Sequence, residues 1–228
     1  MTDVPASIPQ TAAEPESGHS TDRAGAAPPD RSTGTGSSGL RPNAQSGPAP
    51  GAGKAGVGCP GRDLPPVRRV RPADAARVRA IRLEMLADSP LAFLETLADA
   101  AARPHAEFAA RIAGMSTGHR TAAFVAEVDG RVVGHAGGQA APGQPELTVV
   151  FAVYLTPAWR GSGLLDALVE AVADWSRAAG RQELLLEVVV GNDRAVRGYE
   201  RLGFVDTGVR VAHPTVPTLR ELQMRRAA

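Results

Sequence analysis

The sequence is poor in aromatic residues, has a single cysteine and carries almost no net charge, and each scarcity excludes a class of protein. Cys59 is the only cysteine, so an internal disulfide is excluded, and no residues show the spacing of a metal site. The formal net charge of +1 gives no support for nucleic-acid binding, which usually needs a strongly basic face. Because no run of about 18 apolar residues and no signal-peptide core are present, we expect a cytoplasmic protein without a membrane span.

Glycine and proline are concentrated at the start of the chain, where aromatic residues are absent. Residues 1–66 contain 11 of the 25 glycines and 11 of the 19 prolines, whereas all nine aromatic residues lie between Phe93 and Phe204. Such a segment buries too little apolar surface to offset the entropy lost on folding, so we predict a disordered tail. In it, Gly51 to Lys54 lacks the spacing and the hydroxyl residue of a phosphate-binding P-loop. Residues 67–228 remain for one domain.

The hydrophobic pattern of this second part predicts a mixed sheet with helices on both faces. Apolar positions repeated every three or four residues predict helices, and short β-rich runs predict strands. Asp129-Gly130 is typical of a two-residue hairpin turn, and the apolar run Leu147–Leu155 of a buried central strand. The predicted order is β-α-α-β-β-β-α-β-α-β-β, with strands at 67–71, 122–128, 131–136, 147–155, 184–190, 204–211 and 219–225, and helices at 73–89, 104–115, 164–179 and 192–202.

A turn between a strand and a helix, Arg160-Gly161-Ser162-Gly163, is the first candidate for a ligand site. The first turn of a helix has unpaired N–H groups and a partial positive charge, so it can bind phosphate. Glycine lets the backbone approach a ligand, and Arg160 adds a full charge. The same pattern also fits a tight turn that needs glycine for backbone reasons alone, and the turn by itself does not decide between the two.

A second stretch, running from Leu184 to Phe204, makes the pattern specific. Together the two stretches resemble the signature motifs of the GNAT superfamily of acyl-CoA-dependent N-acetyltransferases, in the right order and at the right separation. The family's phosphate-loop motif, Arg/Gln-x-x-Gly-x-Gly/Ala, corresponds to Arg160, Gly163 and Leu165, and its second motif to Asn192, Ala195, Tyr199, Gly203 and Phe204. The resemblance covers essentially all of 67–228 and implies the GNAT fold, an α/β fold with a central mixed sheet flanked by about four helices.

The resemblance also implies a coenzyme site. Acetyl-CoA would be the cosubstrate and no metal would be needed. Tyr199 would protonate the leaving thiolate, and a backbone N–H near Leu155 would hold the oxyanion. The pantetheine arm would lie beside Val153, Tyr154 and Leu155, the pyrophosphate on the backbone of Arg160, Gly161, Ser162, Gly163, Leu164 and Leu165, and Asn192 would contact the coenzyme. Dimers are common in the family, so a monomer or a homodimer is expected.

The catalytic base is less well defined by the sequence. An amine with a pKa near 10 must lose a proton before it can attack, so a base is needed. Glu187, within an apolar strand, is the first candidate, since relatives resembling the ribosomal-protein alanine acetyltransferases have a glutamate there. A salt bridge at a strand end would explain Glu187 as well. Glu146 and a chain of water molecules are the other candidates.

Two residues depart from the family pattern. Leu165 replaces the usual small residue of the phosphate loop, and Gly198 replaces a bulky apolar residue before Tyr199, inside a helix where glycine is unfavourable. His135, on a strand, is expected to be structural. The function implied is acetyl transfer to a primary amine, either a small molecule or a protein N-terminus or lysine, by direct attack in a ternary complex. The alternative is a non-catalytic acyl-CoA-binding module.

Overall fold

The computed structural model describes residues 63–228. The predictions for the tail and for Cys59 therefore lie outside the described residues, apart from positions 63–66, which have no regular secondary structure. The elements are β1 (Val67–Arg69), α1 (Ala75–Asp88), α2 (Leu97–Ala102), α3 (His105–Thr117), β2 (Thr121–Val128), β3 (Arg131–Ala140), β4 (Leu147–Leu155), α4 (Leu164–Ala178), β5 (Glu183–Val189), α5 (Asp193–Arg201), β6 (Val205–Ala212) and β7 (Arg220–Ala227). The predicted order is confirmed, and the short helix α2 is added to it.

The strands form one mixed sheet in the order β1-β2-β3-β4-β5-β7-β6. Only β4 and β5 pair in parallel, and the other neighbours are antiparallel. The turn predicted at Asp129-Gly130 is confirmed, because both residues have positive φ and Val128 pairs with Arg131. The final hairpin places β7, not β6, beside β5. The last strand of the chain, β7, therefore lies directly beside the central parallel pair, β4 and β5.

Helices cover both faces of the sheet, as predicted. On one face, Leu168 and Val172 of α4 are completely buried, with side chains of α5 packed beside them. On the other face, Ile81 and Met85 of α1 and Ile112 of α3 are buried against β2 and β3. Among the described residues, no helix is both long enough and apolar enough to cross a membrane.

A buried carboxylate joins β1 to the start of α1. Asp74 is 0% exposed and accepts a hydrogen bond from the N–H of Arg71 at 2.7 Å. It also pairs with Arg68 and Arg77, and both of these arginines reach Glu127 on β2. The hydrogen bond from Arg68 is the largest of several effects that lower the pKa of Asp74 to about 2. The network therefore stabilises the ionised carboxylate and fixes the first strand to the sheet.

Candidate active site

The two parallel strands at the centre of the sheet separate after three residue pairs. Leu147, Thr148 and Val149 pair with β5, and pairing ends there although β4 continues to Leu155 and β5 to Val189. The separation opens a cleft between the two strands. The backbone edge of β4 beyond Val149 is therefore available to an extended ligand, which main-chain hydrogen bonds can hold as an added strand.

A β-bulge bends β4 where it leaves β5. His135 pairs with Tyr154 and Gly137 with Phe151, so Ala152 and Val153 together face a single residue of β3. Ala152 has a φ of +49°, in the left-handed region that side chains rarely adopt. Gly137 makes room for the bulge, because a Cβ there would come within 2.5 Å of the Phe151 ring. The bulge therefore has matched partners on β3 and is a built feature of the sheet.

Four of the predicted site residues line this cleft. Val153 lies on β4, Glu187 on β5, and Asn192 and Tyr199 at the start and in the middle of α5. The other lining residues are Ala92, Phe93, Leu94, Val150, Phe151, Ala152, Leu186, Val188, Val189, Ala195 and Glu221. The structure thus brings together the candidate acid, the candidate base and one edge of the predicted pantetheine site.

Tyr199 and Asn192 are positioned by the fold of α5. The Tyr199 ring packs edge-on against Phe204, with 5.7 Å between the ring centroids. Burial raises the pKa of Tyr199, so its phenol is protonated at neutral pH and is able to donate a proton. Asn192 Oδ1 accepts a hydrogen bond from Ala195 N at 3.3 Å, which confirms the predicted helix cap. The side-chain oxygen of Asn192 is thereby used in capping, and among residues 63–228 its NH₂ group has no hydrogen-bond partner.

The cleft contains a pair of carboxylates rather than one. Glu187 accepts a hydrogen bond from Gln223 Nε2 at 2.8 Å, and burial raises the pKa of Glu187. Glu221 lies diagonally opposite on β7, where burial and then the charge of Glu187 raise its pKa to about 7. Glu221 is missing from the sequence prediction, although the alternation of polar Glu221 and Gln223 with apolar Leu222 and Met224 marks a polar face on this strand. Two carboxylates that interact share their protons, so the pair titrates as a unit.

The second candidate base is far from this pair. Glu146 is exposed, and its backbone carbonyl accepts hydrogen bonds from the N–H groups of Gln182 and Glu183, at the end of the sheet where β4 and β5 are still paired. It does not line the cleft. Of the two glutamates considered from the sequence, only Glu187 lines the cleft.

The predicted phosphate loop has the backbone geometry of an anion site. Gly161 and Gly163 have φ values of +78° and +93°, which only glycine adopts without strain. Within the described part of the chain, the N–H groups of Gly161, Gly163 and Leu165 have no hydrogen-bond partner. The Ser162 hydroxyl accepts a hydrogen bond from Leu164 N at 3.3 Å and donates to the Trp159 carbonyl at 2.7 Å. The hydroxyl therefore holds the loop, and three N–H groups remain for a ligand.

Arg160 is engaged by protein groups in this structure. Its Nε donates to the Leu155 carbonyl at 3.2 Å, and its Nη2 forms an ion pair with Asp88 at the end of α1. The guanidinium lies 5.7 Å from the centre of the Tyr154 ring. Of the three β4 residues predicted at the pantetheine, only Val153 lines the cleft. Tyr154 is buried on the α1 side of the sheet, and Leu155 packs against the core on the α4 side.

The two departures from the family pattern meet in space. A Cβ added to Gly198 would lie only 3.1 Å from Leu165 Cδ2. The Leu165 side chain is thus turned away from the loop and onto α5, where glycine leaves room for it. The structure therefore explains both substitutions as one contact, in which the large residue on α4 is accommodated by the small residue on α5. The N–H of Leu165 remains available to a ligand.

Comparison with known proteins places the chain in a family. The sequence model of the acetyltransferase (GNAT) family matches residues 84–204. An aminoglycoside N(6')-acetyltransferase type 1 of Stenotrophomonas maltophilia is 35% identical over 146 residues, which are 63% of this chain and 88% of that protein. A mycothiol acetyltransferase of Corynebacterium glutamicum is 45% identical over 60 residues, 26% of this chain and 20% of that protein. The chain therefore matches about a fifth of the length of the second relative.

Solved structures share the fold. A phosphinothricin acetyltransferase from Sinorhizobium meliloti in complex with acetyl-CoA superposes with a TM-score of 0.60 and 22% identity, over 72% of this chain and 89% of that one. An acetyltransferase of the GNAT family from Streptococcus pneumoniae gives a TM-score of 0.60 with 18% identity, over 71% and 97%. In the described residues, no group of three or more His, Cys, Asp or Glu side chains is arranged to hold a metal ion. The motifs, the splayed central strands and the family match lead to one conclusion: the chain belongs to the GNAT family of acetyltransferases.

Proposed function

We propose that this protein transfers the acetyl group of acetyl-CoA to the primary amine of a small cationic molecule, by direct attack within a ternary complex. The observation that carries the proposal is the pair Glu187 and Glu221 in the same cleft as Tyr199, beside the unpaired edge of β4. The cleft thus combines negative charge, a proton acceptor and a proton donor around one strand edge.

The coenzyme side of the site fits acetyl-CoA. The free N–H groups of Gly161, Gly163 and Leu165 at the start of α4 suit a pyrophosphate, because a helix N-terminus carries a partial positive charge. The edge of β4 from Val150 to Leu155 suits the amide-containing pantetheine arm. An extended coenzyme on this edge brings its thioester toward Tyr199 and the carboxylates.

The acceptor side of the cleft favours a cation. Near neutral pH Glu221 is partly ionised, because its pKa is about 7, and burial also raises the pKa of Glu187. A cation bound beside the pair favours its charged form. An amine enters as an ammonium ion with a pKa near 10 and is attracted to this charge. The related aminoglycoside acetyltransferase is named for a polycationic small substrate, which agrees with this choice over a protein lysine or N-terminus.

The reaction then needs three proton transfers, two from nitrogen and one to sulfur. The carboxylate pair takes a proton from the ammonium group, and the free amine attacks the thioester carbonyl. The new C–N bond forms as the C–S bond breaks, the nitrogen loses its second proton to the carboxylates or to water, and the Tyr199 hydroxyl gives a proton to the thiolate of coenzyme A. The phenol holds its proton at neutral pH, so it has one to supply to sulfur as negative charge develops there.

A thiol-release assay with acetyl-CoA and a panel of amines tests the proposal. The panel should hold aminoglycosides, diamines and polyamines, neutral amines, and peptides with a free N-terminus or lysine. We expect turnover with cationic small amines, and a kcat/KM that rises with pH through about 7 as the carboxylate pair ionises. Glu221→Gln should lose this pH dependence and at least tenfold in kcat/KM, whereas Glu146→Gln, outside the cleft, should match the wild type.

Other outcomes have definite meanings. Saturable binding of acetyl-CoA without turnover of any amine would indicate the alternative, a non-catalytic acyl-CoA-binding module. Turnover confined to peptides would contradict the choice of acceptor. Tyr199→Phe should bind acetyl-CoA as tightly as the wild type but turn over at least tenfold more slowly, and wild-type kcat in this variant would remove Tyr199 from the mechanism.

A further inference from the structure

His135 contacts the bulge of β4 from the neighbouring strand. The imidazole is only 6% exposed, and its Nδ1 lies 2.7 Å from the carbonyl oxygen of Ala152. Because a carbonyl can only accept a hydrogen bond, Nδ1 carries the hydrogen in this contact. Burial, with a smaller effect of the Arg82 charge, lowers the pKa of His135 to about 4. The ring is therefore neutral at physiological pH, and it is protonated on Nδ1.

The contact falls on the most strained residue of the site. Ala152 has left-handed backbone geometry without being glycine or asparagine, so the surrounding structure must hold it in place. The ring of the neighbouring residue Phe151 packs over Gly137, and the carbonyl of Ala152 accepts a hydrogen bond from His135. Both contacts come from β3, and each acts on one side of the inserted residue.

The bulge determines which backbone groups of β4 face the cleft. Past the bulge, Thr156 N donates to the Val133 carbonyl, so Thr156 and Tyr154 direct their backbone groups toward β3. Successive residues of a strand alternate in direction, and the N–H groups of Val153 and Leu155 therefore point to the splayed edge. The Leu155 carbonyl, which accepts from Arg160 in the adjacent loop, agrees with this direction.

We propose that His135 is a positioning residue for acyl transfer: by donating its Nδ1–H to the Ala152 carbonyl, it holds the bulge that directs the N–H groups of Val153 and Leu155 toward the thioester oxygen. Its effect is transmitted through Ala152, and it touches no reacting atom. This inference rests on the proposed acetyl transfer. It gives a functional role to a histidine that is expected from the sequence alone to be structural.

Two substitutions separate the hydrogen bond from the bulk of the ring. Asparagine places an NH₂ donor near the position of Nδ1, whereas leucine fills similar space without any donor. We expect His135→Leu to lower kcat about 10- to 100-fold, because a shift of about 1 Å in a reacting group costs rate on this scale. The dissociation constant of acetyl-CoA should change less than threefold. His135→Asn should recover most of the lost kcat, and since asparagine cannot accept a proton, this recovery also excludes a role as general base.

A structural control distinguishes positioning from general loss of stability. Ile81→Val lies in the core on the same side of the sheet but away from the bulge, and it should lower the melting temperature without changing kcat. Wild-type kcat in His135→Leu, or equal losses in the leucine and asparagine variants, would overturn the proposal. A loss of kcat that follows the melting temperature across all three variants would overturn it as well.

A spectroscopic measurement tests the contact even if the wild type acetylates none of the amines, in which case the proposed function fails separately. Long-range ¹H–¹⁵N spectra report the tautomer of each histidine, and the signals missing from His135→Asn identify those of His135. We expect the neutral Nδ1-protonated form between pH 6 and 8. A neutral ring protonated on Nε2 would have no hydrogen on Nδ1 for the Ala152 carbonyl, and this result would overturn the proposal.

Discussion

The contact between Leu165 and Gly198 predicts that the effect of a methyl group at position 198 depends on the residue at 165. In the wild type, Gly198→Ala brings a Cβ to 3.1 Å from Leu165 Cδ2, closer than such atoms normally pack. In a Leu165→Ala background this neighbour is absent, and the same substitution only replaces glycine by alanine inside a helix. The two backgrounds should therefore respond with opposite sign.

The magnitudes follow from two opposing effects. Alanine is favoured over glycine in a helix by about 1 kcal/mol. Overpacking by one methyl group costs about 1–3 kcal/mol where the neighbour cannot move freely. Gly198→Ala should thus destabilise the wild type by about 0–2 kcal/mol and stabilise the Leu165→Ala protein by about 1 kcal/mol, which gives a coupling energy of about 1–3 kcal/mol.

Urea unfolding of the four proteins in the double-mutant cycle measures this coupling. The wild type, Leu165→Ala, Gly198→Ala and the double variant should be compared at one pH and temperature, with and without saturating acetyl-CoA. A coupling energy below about 0.5 kcal/mol, as expected of independent sites, would show that Leu165 does not pack on position 198 and would refute the reasoning. Acetyl-CoA should stabilise all four proteins, because the N–H of residue 165 remains in each of them.

Two further predictions concern ion pairs. Asp88→Asn should release Arg160 for a phosphate and tighten acetyl-CoA binding by up to about fivefold, because a partly exposed ion pair is worth about 0–1 kcal/mol. Calorimetry at low salt measures this change, and weaker binding would show that Asp88 orients the arginine. Asp74 has its pKa lowered to about 2 by Arg68 and other partners, so its contribution to stability is present above pH 4 and is lost as the pH falls toward 2. The difference in unfolding free energy between wild type and Asp74→Asn should shrink by about 2 kcal/mol between pH 5 and pH 2, and a constant difference would contradict the assignment.

The elements that could be predicted from the sequence are those with a local cause. The helix α4 has an apolar stripe and glycines at both ends, and the turn at Asp129-Gly130 depends on two adjacent residues. The placement of Tyr199 and Asn192 follows from a motif within one strand and one helix. α2 was missed because six residues are too few to show a helical period, and its cap, Thr96 accepting from Asp99 N at 3.1 Å, is a common turn pattern as well.

The rest of the site depends on pairings between distant segments. Glu221 enters the cleft only because the last hairpin inserts β7 beside β5, and strand order within a sheet is not encoded in either strand alone. The bulge at Ala152 is of the same kind, because its partners His135 and Gly137 lie on another strand. His135 and Gly137 indicate a bulge in β4 only when the register of β3 against β4 is known.

Leu165 and Gly198 are far apart in the sequence, and what they imply for function depends on their contact in the structure. Considered alone, Leu165 weakens the phosphate-loop motif, and Gly198 weakens the helix that holds Tyr199, so each substitution favours a protein that has lost catalysis. In the structure neither residue opposes coenzyme binding. The Leu165 side chain occupies the space that Gly198 leaves, and among the described residues the backbone N–H of Leu165 has no partner. Because one packing contact accounts for both residues, neither is a reason to prefer the binding module over the catalytic proposal.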